Sequence, residues 1–498
     1  MIRLLAFRQL LHRPWRSAFL FLGYGLGVGV MIVLLSVGEA LIAQARDERL
    51  VGGGDVTVLP EGIDVEVLKK GGLGGLFFSI DNARFVQLQL LASPRLAADV
   101  AAVAPQIEGK LLYLRAANGR EWPVRASGEI PSATRAVGAA PALASGAWED
   151  DDADRRWMAP TSLELRHDID RFHEPPAGLA APGSWAEWHY SNVLSDDRER
   201  WAFISYIVAG DVRGTRWGGQ LLVTTHEQGR RARRFATTVP AGRVRYSTRD
   251  ADVRIGDNTV TVMPDGSYRL RGAAREERGD GVVTLDLVIA PSPRAYFPGA
   301  TLVSGDFASG YAVSGLRADA SGTLCVEGRC ERFDRAQAYK DHNWGAWRGV
   351  SWEWGEARLG EFALLYGRVD PPDSLATRAP LFAYLVDSLG FLALFRPRAI
   401  DYEDARTITV EGRAVRVPAR ARFADVRGAD TLTIELEIED AIGTDTRGSL
   451  AERGETGESV RGLARPYFIQ MKGRARLSGR VGGSPVRGEG TGFFETYR

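Results

Sequence analysis

Cysteine is almost absent, two residues in a chain of 498, which excludes a disulfide-stapled scaffold and any zinc site built mainly from thiolates. Histidine is scarce as well, six residues scattered along the chain, so neither a histidine-rich metal centre nor any other cofactor is expected. Net charge is missing: Lys plus Arg and Asp plus Glu both number 63, and with no net field nothing points to a nucleic-acid partner. The templates G-x-x-x-x-G-K-[ST], H-E-x-x-H and G-x-S-x-G are not found, and His173-Glu174 and His226-Glu227 lack the second histidine of a zinc pair. Long apolar runs are missing with one exception, and the mean hydropathy is slightly negative. A polytopic membrane protein is thereby excluded.

What remains is ordinary folded material, 45% apolar and 25% charged, enough for two or three domains at roughly 150 residues each. The exception lies at the N-terminus. No charged residue occurs from Ser17 to Gly38, a stretch that includes Phe19, Leu20, Phe21, Leu22, Met31, Ile32, Val33, Leu34 and Leu35. About 20 apolar residues suffice for a helix to cross roughly 30 Å of hydrocarbon. Arg3, Arg8, Arg13 and Arg16 precede it, so an uncleaved anchor would leave the N-terminus cytoplasmic and the bulk of the chain outside, at the inner membrane. A cleaved signal peptide is the alternative, since Ala43-Gln44-Ala45 has the A-x-A form. Gly25 and Gly29 form a small-xxx-small pair of the kind that lets two helices approach.

Residues 46–182 read as a mixed extracytoplasmic segment and linker. Asp55–Leu59, Lys110–Arg115 and Trp122–Ala126 read as strands, and Arg84–Val103 as a helix. Gly71–Gly75 reads as a flexible loop, the acidic run Glu149–Asp152 as a solvated loop or a weak cation site, and the Pro/Gly-rich stretch from His173 to Gly183 as a boundary. Beyond it, short alternating runs separated by turn signals at roughly 8–12-residue spacing predict a sandwich or barrel. The length suggests two barrel-like halves, 183–369 and 370–498, joined near Asp370-Pro371-Pro372. Within the first, Cys325-Val326-Glu327-Gly328-Arg329-Cys330 reads as a hairpin whose thiols face each other across a non-hydrogen-bonded pair. Such pairs bring Cα atoms to about 4.5 Å, within disulfide range; two reduced thiols are the alternative.

The densest cluster of chemistry is Tyr339-Lys340-Asp341-His342-Asn343-Trp344-Gly345, followed by Trp347, Trp352 and Trp354. On a strand, Tyr339, Asp341 and Asn343 share one face while Lys340, His342 and Trp344 share the other. A barrel lumen receiving Tyr339, Asp341, Asn343, Trp352 and Trp354 would set a few polar groups in an aromatic wall, the usual make-up of a ligand pocket. Alternatively the aromatics are plain core and the polar set caps a turn.

The Tyr339–Gly345 stretch resembles the Y-x-D-H-N-[WY]-G motif of the AttH-like, carotenoid 1,2-hydratase (hydroxyneurosporene synthase) family. Trp185-Ala186-Glu187-Trp188-His189-Tyr190 is similar to that family's opening E-W-W-Y strand, and Gly490–Glu495 to its closing one. The resemblance covers about residues 183–498. It implies a mainly β fold of two lipocalin-like barrel halves and a hydrophobic polyene or isoprenoid-like ligand. It implies Asp341 as an acid assisted by Tyr339, His342 and Asn343, with Glu187, Trp188, Trp344, Trp352 and Trp354 contacting the ligand. Lys340 stands where carotenoid hydratases commonly carry His. The N-terminal stretch from Phe7 to Asp64 resembles the first helix and periplasmic start of a MacB/FtsX-type ABC permease, which implies ABC transporter subunits as partners.

Hydrating an isolated alkene requires a proton delivered to carbon. A solvated Asp, with a pKa near 3.9, is ionised at pH 7 and has none to give, whereas burial in an apolar lumen raises that value. The expected function is hydration or cyclisation of an apolar ligand by acid catalysis at Asp341, with Trp352 or Trp354 stabilising the cation. A non-catalytic lipid-binding module associated with an ABC exporter is the alternative.

Overall fold

The computed structural model describes residues 13–46, 55–56, 58, 80–139, 148–176, 179, 182–304, 307–347, 349–371, 380–410, 412–445 and 467–497. It divides into two compact units, Met1–Phe78 with Val100–Arg155, and Ser79–Asp99 with Arg156–Arg498.

In the first unit, helix α1 (Pro14–Arg46) contains a segment, Pro14–Val37, long and apolar enough to cross a membrane. The expected strand at Asp55–Leu59 is not formed at Asp55, Val56 or Val58, which pair with no described neighbour; Thr57, Leu59 and the Gly71–Gly75 run lie outside the described residues. In the second unit, helix α2 (Ile80–Ala92) replaces the helix expected over Arg84–Val103. It stops before Ser93-Pro94 because a proline disfavours helical backbone in the residue ahead of it and has no N–H to donate. Back in the first unit, β1 (Gln106–Arg115) and β2 (Glu121–Glu129) form the expected hairpin, extended at its open end. A short helix α3 (Pro131–Ala136) follows. The acidic run does more than face solvent. Asp151 and Asp154 each accept from the other's backbone N–H, at 2.8 and 3.0 Å, and so cap the first turn of α4 (Asp152–Met158).

Helix α5 (Ser162–Asp170), started by a Thr161–Glu164 capping box, leads into an antiparallel meander. Strands β3 (Trp185–Leu194), β4 (Arg200–Gly210), β5 (Trp217–Glu227) and β6 (Arg233–Pro240) pair in chain order. After a small excursion through β7 (Val244–Tyr246), β8 (Val253–Ile255) and β9 (Asn258–Val262), β10 (Tyr268–Glu276) rejoins at β6. Next come β11 (Val282–Pro291), a side strand β12 (Phe297–Ser304), β13 (Phe307–Val326) and β14 (Arg329–Ala346). Because β14 pairs with β3, and β10 with β11, the eight strands β3-β4-β5-β6-β10-β11-β13-β14 close into an up-and-down barrel of the lipocalin kind.

The second sheet starts at β15 (Ser351–Leu359), β16 (Phe362–Asp370), β17 (Phe382–Asp387) and β18 (Gly390–Phe395). A short β19 (Asp401–Glu403) and a separate hairpin, β20 (Arg406–Val410) with β21 (Arg413–Val417), intervene. Strands β22 (Arg420–Arg427), β23 (Asp430–Asp445), β24 (Tyr467–Val481) and β25 (Ser484–Tyr497) complete it, with β25 returning to β15. The order is β18-β17-β16-β15-β25-β24-β23-β22-β19. Side chains bridge the seam between β18 and β22: the Arg396 N–H donates to Asp425 at 2.7 Å and Arg427 to the Leu394 carbonyl at 3.1 Å. The expected join at Asp370-Pro371-Pro372 falls inside this sheet, after β16. The chain changes sheet between Ala346 and Ser351, where Gly349 takes a φ of +71°. Pro371 follows the last residue of β16, where a missing N–H costs the ladder nothing, and Pro372 lies outside the described residues.

Three apolar clusters result. One fills the barrel, with Ile204, Leu221, Phe235 and Tyr268; one lies within the second sheet, with Leu364, Phe423 and Leu477. A third, including Tyr190, Phe203, Tyr311, Trp354, Phe382 and Phe493, joins the outer face of the barrel to the second sheet. Strands β3, β4 and β14 are therefore buried on both faces for much of their length.

Cys325 and Cys330 are register partners and are joined by a disulfide. The turn residues Glu327 and Gly328 both have positive φ, as a two-residue hairpin turn requires. A loop this short should contribute about 2 kcal/mol by chain entropy. Replacing both cysteines by Ser is expected to lower the unfolding free energy by that amount, read as a lower chemical denaturation midpoint, while leaving the far-UV circular dichroism of the barrel intact. Loss of the β signal on reduction would contradict it.

Candidate functional site

Strand β14 carries the alternation expected of Tyr339–Trp344, and because neither face meets water, both faces carry buried polar groups. The register Tyr339↔Asn192, Asp341↔Tyr190 and Asn343↔Trp188 puts these side chains on the outer face, between the two sheets. The register Lys340↔Ser191, His342↔His189 and Trp344↔Glu187 puts the others inside the barrel.

On the outer face, Tyr339 Oη donates to Asp341 Oδ2 at 2.8 Å and Asn343 Nδ2 to Asp341 Oδ1 at 2.8 Å. Trp354 Nε1 donates to Tyr339 Oη at 3.0 Å, and Gly367 opposite leaves room for that indole, since a Cβ there would meet the ring at 2.4 Å. Two further carboxyls arrive from the second sheet. Glu356, two residues after Trp354 on the same face, accepts from Asn192 Nδ2 at 3.3 Å. Glu495, the register partner of Trp354, accepts from Gln470 Nε2 at 3.3 Å. Burial pushes the Asp341 carboxyl up to about 7 despite the hydrogen bonds from Tyr339 and Asn343. Burial, reinforced by the charges of its two neighbours, raises Glu356 to about 8. Burial and the Asp341 charge raise Glu495 to about 7. Like charges this close in an apolar setting do not all ionise together.

Inside the barrel the arrangement is different. The Lys340 ammonium lies 2.7 Å from Asp170 Oδ2, 3.3 Å from His189 Nδ1 and 4.2 Å from the centre of the Tyr268 ring. His342 stands between two carboxylates, Nδ1 at 3.0 Å from Asp170 and Nε2 at 2.7 Å from Glu187. Burial opposes its charge, but Glu187 and Asp170 outweigh burial and raise its pKa to about 9. Burial pushes Asp170 upward and is overcome by Lys340 and His342, leaving it well below the usual carboxylate range. His189 is held neutral by burial and by those same cations. Glu187 also accepts the His173 backbone N–H at 2.9 Å, and the His173 ring stacks on Trp344 at 3.6 Å. Asp170, His189 and His342, and likewise His173, Glu187 and His342, offer donor atoms within 4.8 Å of one another. Two carboxylates are however matched by Lys340 and His342, so the network balances its own charge.

The sequence-predicted residues thus divide. Tyr339, Asp341, Asn343, Trp188, Trp352 and Trp354 lie on the face between the sheets, not in a barrel lumen; from Ala336 to Trp344 the lumen side of β14 belongs to the even-numbered residues. Trp352 is half-buried, stacked on Tyr497 at 4.5 Å, and Trp188 contacts Trp347 at 4.7 Å. His342, Trp344 and Glu187 face the barrel interior. Glu356, Glu495, Tyr190, Asn192 and Asp170 escaped sequence reasoning. Glu356 and Glu495 carried a usable signal, a carboxylate two positions from a large aromatic in Trp354-Gly355-Glu356 and Phe493-Phe494-Glu495. Asp170 carried none, being the last residue of a helix far away in the chain.

No family model matches the chain, and no curated protein matches it. Among solved structures, it is similar to a protein assigned as AttH from Nitrosomonas europaea, 19% identical over 66% of this chain and 97% of that one, with a TM-score of 0.43. Kievitone hydratase from Nectria haematococca is similar at 17% identity over 66% of this chain and 94% of that one, TM-score 0.41. CghA with Sch210972 is similar at 12% identity over 68% and 96%, TM-score 0.40.

Two outcomes follow from the charges. Asp341, Glu495 and Glu356 hold their protons to about 7, 7 and 8 in the folded chain, but an unfolded chain releases them near pH 4. The folded state therefore holds these three protons across that window, and the contribution of the three carboxyls to stability falls as pH rises from about 4 to 8, opposed below about 6.5 by His189, His173 and His226, whose pKa values burial lowers. The raised His342 acts in the same direction, its contribution being lost as pH passes about 9. Asp341→Asn should flatten the fall and raise the melting temperature at pH 8 but not at pH 4, as read by calorimetry across pH. Lys340→Met leaves Asp170 buried beside no ammonium and should cost about 3–5 kcal/mol. An unchanged denaturation midpoint would show the ion pair to be dispensable.

Proposed function

We propose that this chain binds an elongated apolar molecule containing a carbon–carbon double bond and protonates it, hydrating or cyclising the product. The observation that carries this reading is Asp341, a carboxyl that keeps its proton to about pH 7 among aromatic side chains of two sheets. The resemblance of Tyr339–Gly345 to the carotenoid 1,2-hydratase motif supports it.

In the reaction, the Asp341 O–H bond breaks and the alkene π electrons form the new C–H bond, leaving a carbocation beside a carboxylate. Tyr339, held by Trp354, and Asn343 donate to that carboxylate and fix its direction. The Trp354 ring face stabilises the cation. Water then adds to the cation and gives its surplus proton back to the Asp341 carboxylate, directly or through Glu495, so that the acid is regenerated. Without water, a second double bond of the same molecule closes a ring and a carboxylate removes the surplus proton. Trp354, Tyr311 and Phe382 lie ring to ring at 4.8–6.2 Å, and Trp354 donates to Tyr339, the partner of Asp341, so substrate reaches Asp341 by displacing part of this cluster.

The N-terminal helix serves as a tether that holds the site outside the cytoplasmic membrane, near the lipid from which such a substrate partitions. There it stands beside any ABC exporter with which the permease-like N-terminus associates.

The test is extraction of the membrane-purified full chain with mass spectrometry of the released lipid, followed by incubation of that lipid with fresh protein. Wild type is expected to add the mass of one water or to shift retention at constant mass. Asp341→Asn should lower turnover at least a hundredfold, within the range by which positioned acids contribute, while retaining the lipid. Retention by both proteins with conversion by neither would make the chain a carrier.

A further inference from the structure

Strands β1 and β2 form a sheet of their own, and no third strand joins it among the described residues. The register Leu112↔Val124 and Leu114↔Trp122 puts these four side chains on one face, while Tyr113↔Pro123 and Arg115↔Glu121 occupy the other. The second face carries an ion pair, Arg115 to Glu121 at 2.6 Å. The first is apolar over this stretch and bare: Leu112, Leu114 and Trp122 are 50, 57 and 48% exposed. A lone two-stranded hairpin is marginal in water unless something covers its apolar side. Contiguous exposed apolar groups mark a surface that meets a partner or a membrane.

The occupant that fits this face is lipid. Its side chains fall far short of the roughly 20–30 residues that each partner brings to a stable protein interface, whereas a lipid surface sets no such minimum. Their chemistry is that of the boundary between water and hydrocarbon. Two leucines suit the acyl region, an indole suits the headgroup level, and Arg120, exposed at the turn, stands two residues before that indole. The same compact unit carries Pro14–Val37, a span that buries none of its apolar window within the protein. With that span in a bilayer the hairpin's contact is intramolecular, so the gain from a few side chains is enough to hold it there.

We propose that the Leu112, Leu114 and Trp122 face of the β1–β2 hairpin lies on the extracytoplasmic surface of the membrane that α1 crosses, with its apolar side chains among the upper acyl chains of the phospholipid. This goes beyond the acid chemistry proposed above and is independent of it; the two share only the tether. A second contact fixes the hairpin's orientation on the bilayer, which a single helix leaves free to swivel.

The two native cysteines are joined in a disulfide, so one introduced cysteine takes one label. The test labels the full chain carrying Leu114→Cys with the polarity-sensitive dye NBD. The labelled chain is reconstituted into vesicles of phosphatidylethanolamine and phosphatidylglycerol, with and without lipid bearing a nitroxide on the upper acyl chain. Blue-shifted emission quenched by the nitroxide lipid is expected at Leu114, and neither effect at Val426→Cys, an exposed apolar position on β22. Leu112→Ser with Trp122→Ser should cut the quenching by about twofold or more, because apolar burial is lost. Tyr113→Ser, on the opposite face, should leave it unchanged and controls for loss of the hairpin fold. Emission of a wetted dye at Leu114 would overturn the docking. So would a blue shift that nitroxide lipid does not quench, the mark of a face covered by protein, or equal quenching at Val426, the mark of a dye that partitions by itself. Equal loss with Tyr113→Ser would overturn the assignment to this face. Failure of the chain to float with the vesicles would overturn tether and docking together and leave Asp341 to its own test.

Discussion

A strand with no solvent face must account for every polar atom it carries, and β14 is such a strand from about Ala338 to Ala346. Its period of two sends Lys340 and His342 into the barrel and Tyr339, Asp341 and Asn343 between the sheets. The two sets meet burial differently. Inside the barrel, cations and carboxylates come in equal number, and Lys340 lying 2.7 Å from Asp170 ties the end of α5 to the wall. Between the sheets no cation is hydrogen-bonded to Asp341, Glu356 or Glu495 among the described residues, and the carboxyls respond by keeping their protons.

That difference separates a network of fixed charges from one that can exchange protons. A balanced ion cluster in a low-dielectric interior holds its charge state and its geometry across a wide pH range. A group of carboxyls raised toward neutrality holds protons it can lose and recover, the property a general acid needs near pH 7. The same strand supports both, and its two faces sense each other, since the Lys340 and His342 charges lower the Asp341 pKa against the effect of burial.

The surrounding architecture serves this strand. The barrel closes through β14 pairing with β3, so the central hydrogen-bonded ladder of the site is also the seam of the barrel. The second sheet supplies Trp354, Glu356 and Glu495 from β15 and β25, neighbours whose register is continuous over that stretch. Gly367 permits the indole to lie flat against β16. Helix α2, although remote from β14 in the chain, completes the aromatic cluster through Phe85.

Much was readable from residues alone. The apolar helix followed from the absence of charge between Ser17 and Gly38, the disulfide hairpin from Glu327-Gly328 between two cysteines, and the split of Tyr339–Trp344 into two faces from strand geometry. These are local consequences of backbone periodicity and turn chemistry, and they need no knowledge of what lies opposite. What lies opposite was decided by tertiary structure. Which face of β14 turns inward depends on which side the barrel curls toward, and that is set by β14 pairing with β3 across more than a hundred residues. Asp170, Glu356 and Glu495 reach the site from distant segments, and a carboxyl's pKa is set by burial that no spacing in the chain encodes. Residues therefore determined that an acid stands on a strand among aromatics; only the pairing of distant strands decided which groups surround it and hence whether it carries a proton.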